Sequence, residues 1–137
     1  MTLSEYALKF VGRPYVWGGD GSGKCAGGFD CSGLALECLW AFGILPNGDL
    51  TAQGIYDTLY NEHIWASVDK ARVKPDDILF FGKDDKHITH VAICIGGGLM
   101  VEAGGGSSKS KTAATSAGFV RVRPISWRKD LVAALRE

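Results

Sequence analysis

The sequence predicts an α+β fold, in which helices occupy the first half of the chain and an antiparallel sheet follows. Apolar residues repeat at helical spacing in the first half, whereas beyond the turn signal at 75–77 they form short β-rich runs separated by glycines. With 137 residues, of which 46% are hydrophobic, the chain is long enough for one domain spanning 1–137 and leaves little room for two.

Three helices are predicted in the first half. The first begins with a capping box, in which the side chains of Thr2 and Glu5 each accept a hydrogen bond from the other residue's backbone N–H. The second runs from about Cys31 to Phe42 and is largely apolar. Thr51 is a suitable N-cap for a third, shorter helix.

Strands are predicted from residue 78 onwards. The run 78–81 is fully apolar and of strand length. The β-rich segment 89–95 turns at three glycines, 96–98, and returns as 99–103, which predicts a hairpin.

The end of the chain gives two further predictions. Residues 119–123 alternate apolar and basic side chains, which predicts a strand with one buried face and one solvated face. Ser126 is a suitable cap for a final short helix containing Leu131, Val132 and Leu135.

The charge balance and the absence of long apolar runs exclude some classes of function. Fifteen basic residues offset fifteen acidic ones, so a polyanionic partner such as nucleic acid is not indicated. No segment approaches the roughly 18–20 apolar residues of a membrane span. The N-terminus has neither the basic region nor the apolar core of a secretory signal, so we expect synthesis in the cytoplasm.

The four cysteines are expected to be reduced. Cys38 and Cys94 lie inside apolar runs, where a thiol behaves as a small hydrophobic group. A disulfide between Cys25 and Cys31 is the alternative. No paired Cys-x-x-Cys spacing indicates zinc, so no metal site is predicted.

Cys31 is the candidate nucleophile. A glycine-rich loop, 18–28, delivers it to the first turn of the second helix. The partial positive charge and unpaired N–H groups of a helix N-terminus stabilise a thiolate, which is the reactive form of cysteine.

A cysteine nucleophile needs a base and a group that orients the base. Of the three histidines, His90 is predicted at the start of a strand, which is a rigid element that can position a base. His63 and His87 are predicted outside regular elements. The glycine turn places Glu102 near His90 across the hairpin. Each residue alone has a structural explanation, as a helix-start cysteine, a surface histidine or a solvated glutamate, but the three together favour catalysis.

At these residues the sequence resembles the NlpC-type cell-wall peptidases, a family of papain-like cysteine peptidases. The resemblance rests on segments that follow one another in the family's order and cover nearly the whole chain, namely 12–19, 29–33, 75–81, 89–96, 100–103 and 120–122. It implies a papain-like domain that hydrolyses peptidoglycan without a cofactor. The family's usual target is the bond between γ-linked D-glutamate and the following diamino acid.

The resemblance also assigns roles to individual residues. It implies that Cys31 is the nucleophile, His90 the base and Glu102 the orienting third member. Many members of the family have a second histidine where this chain has Glu102, and others use glutamate.

Three further residues match substrate-binding positions of the family. Tyr15 resembles a tyrosine that lines the active site. Asp30 and Ser32 match positions that, in some members, hold the free amine of a stem peptide's terminal L-alanine. Capping of the second helix is an equal alternative for Asp30.

The expected partner is therefore the peptidoglycan stem peptide, and the expected state is a monomer. Two alternatives remain: an amidase or acyltransferase with the same Cys31–His90 pair, or a catalytically idle module that binds wall fragments or assists phage assembly. A cytoplasmic product of this kind is expected to reach the wall by another route, such as a phage lysis or tail apparatus or a secretion system.

Overall fold

A computed structural model describes residues 1–15, 29–46, 49–62, 65–104 and 118–137. In these ranges the chain forms three α-helices and six strands, which are α1 Leu3–Leu8, α2 Cys31–Ala41, α3 Ala52–Asn61, β1 Ala66–Ser67, β2 Ile78–Gly82, β3 Ile88–Gly96, β4 Leu99–Gly104, β5 Phe119–Pro124 and β6 Leu131–Arg136. The glycine-rich loop with Cys25, the segment 105–117 and His63 lie outside the described residues.

The helices begin at the predicted caps. Thr2 donates its N–H to Glu5 Oε1 at 2.9 Å, and the Glu5 N–H donates to Thr2 Oγ1 at 3.2 Å, so the capping box is confirmed. Thr51 Oγ1 accepts the Gly54 N–H at 3.0 Å at the start of α3. In the described parts of the chain, no helix combines the length and the apolar character that crossing a bilayer requires.

All the strand pairs among the described residues are antiparallel, and the strand order is β1-β6-β2-β3-β4-β5. The β3–β4 hairpin pairs Ile93 with Val101 and Cys94 with Met100. Its turn needs glycine, because positions 96–98 all have positive φ, at 94°, 64° and 76°. The predicted hairpin is confirmed, and its register brings the start of β3 close to the end of β4.

The sheet is covered on both faces. The helices pack on one face, where Leu34 and Ile55 join Phe80 and Val101 in the main core. Because side chains alternate along a strand, Leu79, Phe81, Ala92, Cys94 and Met100 point to the other face and form a second, smaller cluster. Helices packed on an antiparallel sheet confirm the predicted α+β class.

The prediction of a final helix capped by Ser126 is wrong. Ile125–Trp127 forms a single 3₁₀ turn, and Leu131–Arg136 is strand β6. The strand lies between β1 and β2, and Ala134 and Leu135 in it are fully buried. Leucine and alanine favour helix in isolation, but the long-range pairing with β2 outweighs that preference.

The prediction of one buried and one solvated face on β5 is also wrong in part. Val120 is fully buried, but Val122 on the same face is 39% exposed. Arg121 and Arg123, on the opposite face, are only 24% and 18% exposed at the side chain. These arginines are partly buried because they lie against a buried carboxylate of β4, which is part of the site described next.

Candidate active site

The start of α2 positions Cys31. Asp30 is the N-cap, and its Oδ1 accepts the Gly33 N–H at 2.7 Å and the Ser32 hydroxyl at 3.1 Å. Phe29, the residue before this cap, is 1% exposed in the core and donates its N–H to the Pro14 carbonyl at 3.1 Å. The helix therefore starts at a defined point, with the partly buried Cys31 thiol in its first turn.

His90 lies near the start of β3, one of the strands on which α2 packs. It is 8% exposed, and its ring centroid lies 5.5 Å from that of Phe81 on the neighbouring strand. His90 Nε2 lies 2.9 Å from Glu102 Oε1, and the Cys31 side chain is a second hydrogen-bond partner of the imidazole. Because Glu102 holds Nε2, Nδ1 is the ring nitrogen left to face the thiol.

Glu102 is 1% exposed, yet it is ionised. Its second oxygen, Oε2, accepts hydrogen bonds from Arg121 Nε at 3.1 Å and Arg123 Nη1 at 3.3 Å. Burial favours the neutral acid, but the hydrogen bonds and positive charges of His90 and Arg121 outweigh it and lower the pKa of Glu102 to about 2. The carboxylate is thus a fixed negative charge behind the imidazole.

The charge on Glu102 also acts on His90. Burial disfavours the imidazolium, but hydrogen bonds and charge interactions with Cys31 and Glu102 outweigh that effect and raise the pKa of His90. The imidazole therefore holds a proton at a higher pH than an ordinary histidine does. A protonated imidazole beside a thiol is the arrangement in which a cysteine is activated as a nucleophile.

Gly104 makes room for this carboxylate. A Cβ atom at this position would lie 2.6 Å from Glu102 Oε2 and 3.0 Å from Arg121 Nη2. Both distances are too short for a side chain to fit without moving the pair, so the backbone of β4 comes close to the buried ion pair only because residue 104 is glycine.

Tyr15 lines the same cavity as Cys31. It is 7% exposed and is held by backbone bonds, since its N–H donates to the Gly118 carbonyl at 2.9 Å and it bridges to Phe29. Burial, followed by the charges of Cys31 and Asp30, raises the pKa of Tyr15 to about 12. Its hydroxyl therefore stays protonated and able to donate a hydrogen bond.

A cavity of about 280 Å³ joins these groups. The side chains that line it are Tyr15, Cys31, Thr89, His90, Glu102, Arg121, Arg123 and Arg128. A larger cavity, of about 380 Å³, lies near Trp65 and Arg136 and contains none of the predicted site residues. The smaller cavity is the candidate active site because the candidate nucleophile Cys31, the candidate base His90 and the buried Glu102 all line it.

The structure thus brings four of the predicted residues together in the cavity, namely Tyr15, Cys31, His90 and Glu102. Asp30 and Ser32 lie at the adjoining helix cap, where the Asp30 carboxylate performs the structural role that was one of its two alternatives. Cys31, Cys38 and Cys94 are free thiols. In the described ranges, no three His, Cys, Asp or Glu side chains converge as a metal site requires.

Three arginines that line the cavity were not predicted as site residues from the sequence. Arg121 and Arg123 were interpreted only as the solvated face of a strand, and Arg128 was not singled out. The spacing of two of them was a usable signal. Arg121 and Arg123 are two positions apart, so they share one face of β5. Their acidic partner Glu102 is buried on the neighbouring strand β4, where it pairs with Arg121.

The sequence profile of the NlpC/P60 family matches residues 12–134. The bifunctional muramidase/DL-endopeptidase CwlT of Bacillus subtilis is 37% identical over 102 residues, which are 72% of this chain and 27% of CwlT. The gamma-DL-glutamyl hydrolase of the same species is 34% identical over 103 residues, or 72% of this chain and 22% of the hydrolase.

A solved structure of the same family has the same fold. The NlpC/p60 domain of the peptidoglycan hydrolase SagA superposes with a TM-score of 0.70 and 26% identity, covering 99% of this chain and 97% of the domain. The likeness confirms the predicted papain-like fold. The chain spans about a quarter of the length of the two curated relatives. All six predicted site residues lie within the range 12–134 that the family profile matches. The chain belongs to the NlpC/P60 family.

Proposed function

We propose that this chain is a cysteine endopeptidase that cleaves peptidoglycan stem peptides between γ-linked D-glutamate and the following diamino acid. The observation that carries the proposal is the continuous contact from Cys31 through His90 to the ionised, buried Glu102, at the wall of a cavity. The names of the two relatives, a DL-endopeptidase and a gamma-DL-glutamyl hydrolase, support the choice of bond.

In the proposed mechanism, the Cys31 thiol gives its proton to His90 and the thiolate attacks the scissile carbonyl carbon. Glu102 holds Nε2, which fixes the orientation of the ring and stabilises the imidazolium. His90 then protonates the leaving amine of the diamino acid, and the C–N bond breaks. Water, deprotonated by the same imidazole, hydrolyses the thioester and restores the thiol.

The oxyanion formed in the first step needs hydrogen-bond donors. The Cys31 backbone N–H, in the first turn of α2, is one candidate, because the first N–H groups of a helix have no partner within the helix. The Tyr15 hydroxyl, which remains protonated, is the second. In this proposal Asp30 and Ser32, at the same helix end, receive the free amine of the stem peptide's terminal L-alanine.

The test is product analysis with purified peptidoglycan and with soluble stem peptides. We expect mass spectrometry to find products ending at γ-D-glutamate, and Cys31→Ala to abolish them. Buried Cys38, whose pKa burial raises to about 12, supplies the matched control, because Cys38→Ala leaves the site intact.

Other results would identify the alternatives. Release of whole stem peptides from glycan would indicate an amidase. Binding of wall fragments without any cleavage, and with no labelling of Cys31 by a thiol-reactive peptide probe, would indicate a binding module. Either result would contradict the proposed reaction.

A further inference from the structure

Three guanidinium groups lie on one side of the candidate active-site cavity. Arg121 and Arg123 project from β5, and Arg128 follows the 3₁₀ turn after that strand. Their side chains are 24%, 18% and 31% exposed, so each is partly withdrawn from water. Partial burial of three like charges around one cavity is unfavourable unless negative charge is present to balance them.

The described residues supply only part of that balance. Glu102 accepts one hydrogen bond from Arg121 and one from Arg123. Asp130 binds Arg128 through two oxygens, at 3.0 and 2.8 Å. Three guanidinium groups therefore face two carboxylates, and the candidate Cys31–His90 ion pair adds no net charge.

The excess of positive charge affects the pKa of Arg123. Burial and the positive charges of Arg121 and Arg128 lower the pKa of Arg123, although Glu102 acts in the opposite direction. The orientation of two of the guanidinium groups is also fixed. Arg123 stacks over the Trp127 ring, 4.5 Å from its centroid, and Arg128 over the Phe81 ring, 5.1 Å from its centroid. These guanidinium groups are preorganised, and each has more N–H donors than its bonds to Glu102 and Asp130 use.

We propose that Arg121, Arg123 and Arg128 form a carboxylate-binding subsite, which recognises a free carboxylate of the substrate next to the scissile carbonyl. This inference rests on the proposed function. A γ-linkage leaves the α-carboxylate of the glutamate free, four bonds from the scissile carbonyl carbon, or roughly 5 Å away. That separation fits within a cavity of about 280 Å³. The α-carboxylate of a C-terminal diamino acid is the other source of the same chemical group.

The subsite therefore determines substrate class: stem peptides whose carboxylate is free are cleaved, and amidated ones are discriminated against. Arginine suits this role, because its planar fork binds a carboxylate through two parallel hydrogen bonds. An amide in place of the carboxylate loses the charge and offers one acceptor oxygen instead of two, so an NH₂ group replaces the second acceptor in the two-bond arrangement.

Three synthetic peptides test the proposal: L-Ala-γ-D-Glu-L-Lys with both carboxylates free, the same peptide with D-isoglutamine, and the same peptide with a C-terminal lysine amide. We expect the wild-type kcat/KM to fall by about tenfold to a hundredfold for one of the two amidated peptides. The peptide that suffers the loss identifies the source of the carboxylate. Equal rates on all three peptides, within twofold, would overturn the proposal.

The variants use the same ratio of rates, so a general loss of activity does not affect the readout. Arg128→Gln, which leaves the bonds to Glu102 intact, is expected to reduce the preference for the free carboxylate by about tenfold. Lys129→Gln is the matched control, since it removes a neighbouring exposed charge that does not line the cavity. An unchanged preference in Arg128→Gln and in Arg123→Gln would limit the arginines to their bonds with Asp130 and Glu102 and refute the subsite.

A binding measurement separates this proposal from the proposed function. Calorimetry with Cys31→Ala gives the affinity for the three peptides without turnover. If wild-type protein cleaves none of them, the proposed reaction fails, but an arginine-dependent preference of Cys31→Ala for the free carboxylate still supports the subsite. Equal affinity for all three peptides would refute it.

Discussion

Replacing Glu102 with glutamine tests the electrostatic argument most directly. The variant keeps the size of the side chain and removes its charge. The pKa of Glu102 is about 2, against 4.5 for an ordinary glutamate, so the folded structure favours the carboxylate over the neutral acid by about 3 kcal/mol. Loss of that charge leaves Arg121 and Arg123 facing an amide, whose NH₂ group must point either at them or at His90.

We therefore expect Glu102→Gln to lose about 2–3 kcal/mol of unfolding free energy at pH 7, measured by urea denaturation. The pH dependence has a defined sign. Because the pKa of Glu102 is lowered, the stabilisation is complete above pH 4.5 and is lost as the pH falls towards 2. The difference between wild type and variant is expected to narrow over that range.

The same variant changes the chemistry of His90. The carboxylate is one of the groups that raise the pKa of His90, so its removal lowers that pKa. The alkaline limb of the kcat/KM profile, where the imidazolium is lost, is then expected to move to lower pH. If Glu102→Gln keeps both the wild-type stability and the wild-type alkaline limb, the assignment of Glu102 as an ionised partner of His90 is wrong.

Substitutions at three other positions give distinct outcomes. Gly104→Ala places a methyl group against the Glu102 carboxylate, so we expect at least a tenfold loss of kcat and the same shift of the alkaline limb in a pH–rate profile. Tyr15→Phe is expected to lower kcat by about a hundredfold in a peptide-cleavage assay, with little change in thermal unfolding. Asp30→Ala is expected to lose about 1 kcal/mol through the missing helix cap, measured by denaturation, and Asp30→Ser to recover it.

Each outcome has a clear contrary result. Wild-type kinetics in Gly104→Ala would mean that the carboxylate is not fixed as described. Full activity in Tyr15→Phe would remove the hydroxyl from the oxyanion site. For Asp30, a KM for free-amine stem peptides that returns to the wild-type value in Asp30→Ser would mean that the residue is only a cap, because serine restores the cap without restoring the negative charge.

The fold was predictable wherever the determining interactions are local. The capping box at Thr2 and the three glycines of the hairpin turn are encoded within a few residues, and both were predicted correctly. Strand β6 was not, because its Leu-Val-Ala-Ala-Leu sequence is compatible with either helix or strand. Only its pairing with β2, about fifty residues earlier in the chain, decides the outcome.

The site, too, could be predicted from the sequence only where the determining interactions are local. The proximity of His90 and Glu102 follows from one hairpin, so the turn alone predicts it. The approach of Cys31 to His90 depends on how α2 packs on the sheet, and it was expected because the motifs resemble those of a known family. The spacing of Arg121 and Arg123 indicates a shared face of β5, but their position against Glu102 could not be predicted, because β5 follows β4 only after the segment 105–117.

The position of β6 has a consequence for biosynthesis. Strand β2, in which all five residues are buried, pairs on one side with β3 and on the other with β6. In a nascent chain that has emerged only through β5, one hydrogen-bonding edge of the apolar strand β2 is therefore unpaired. Such an exposed edge favours aggregation. The sheet is completed only after residues 131–136 leave the ribosome, so folding of this domain is expected to be sensitive to chaperones that shield β2.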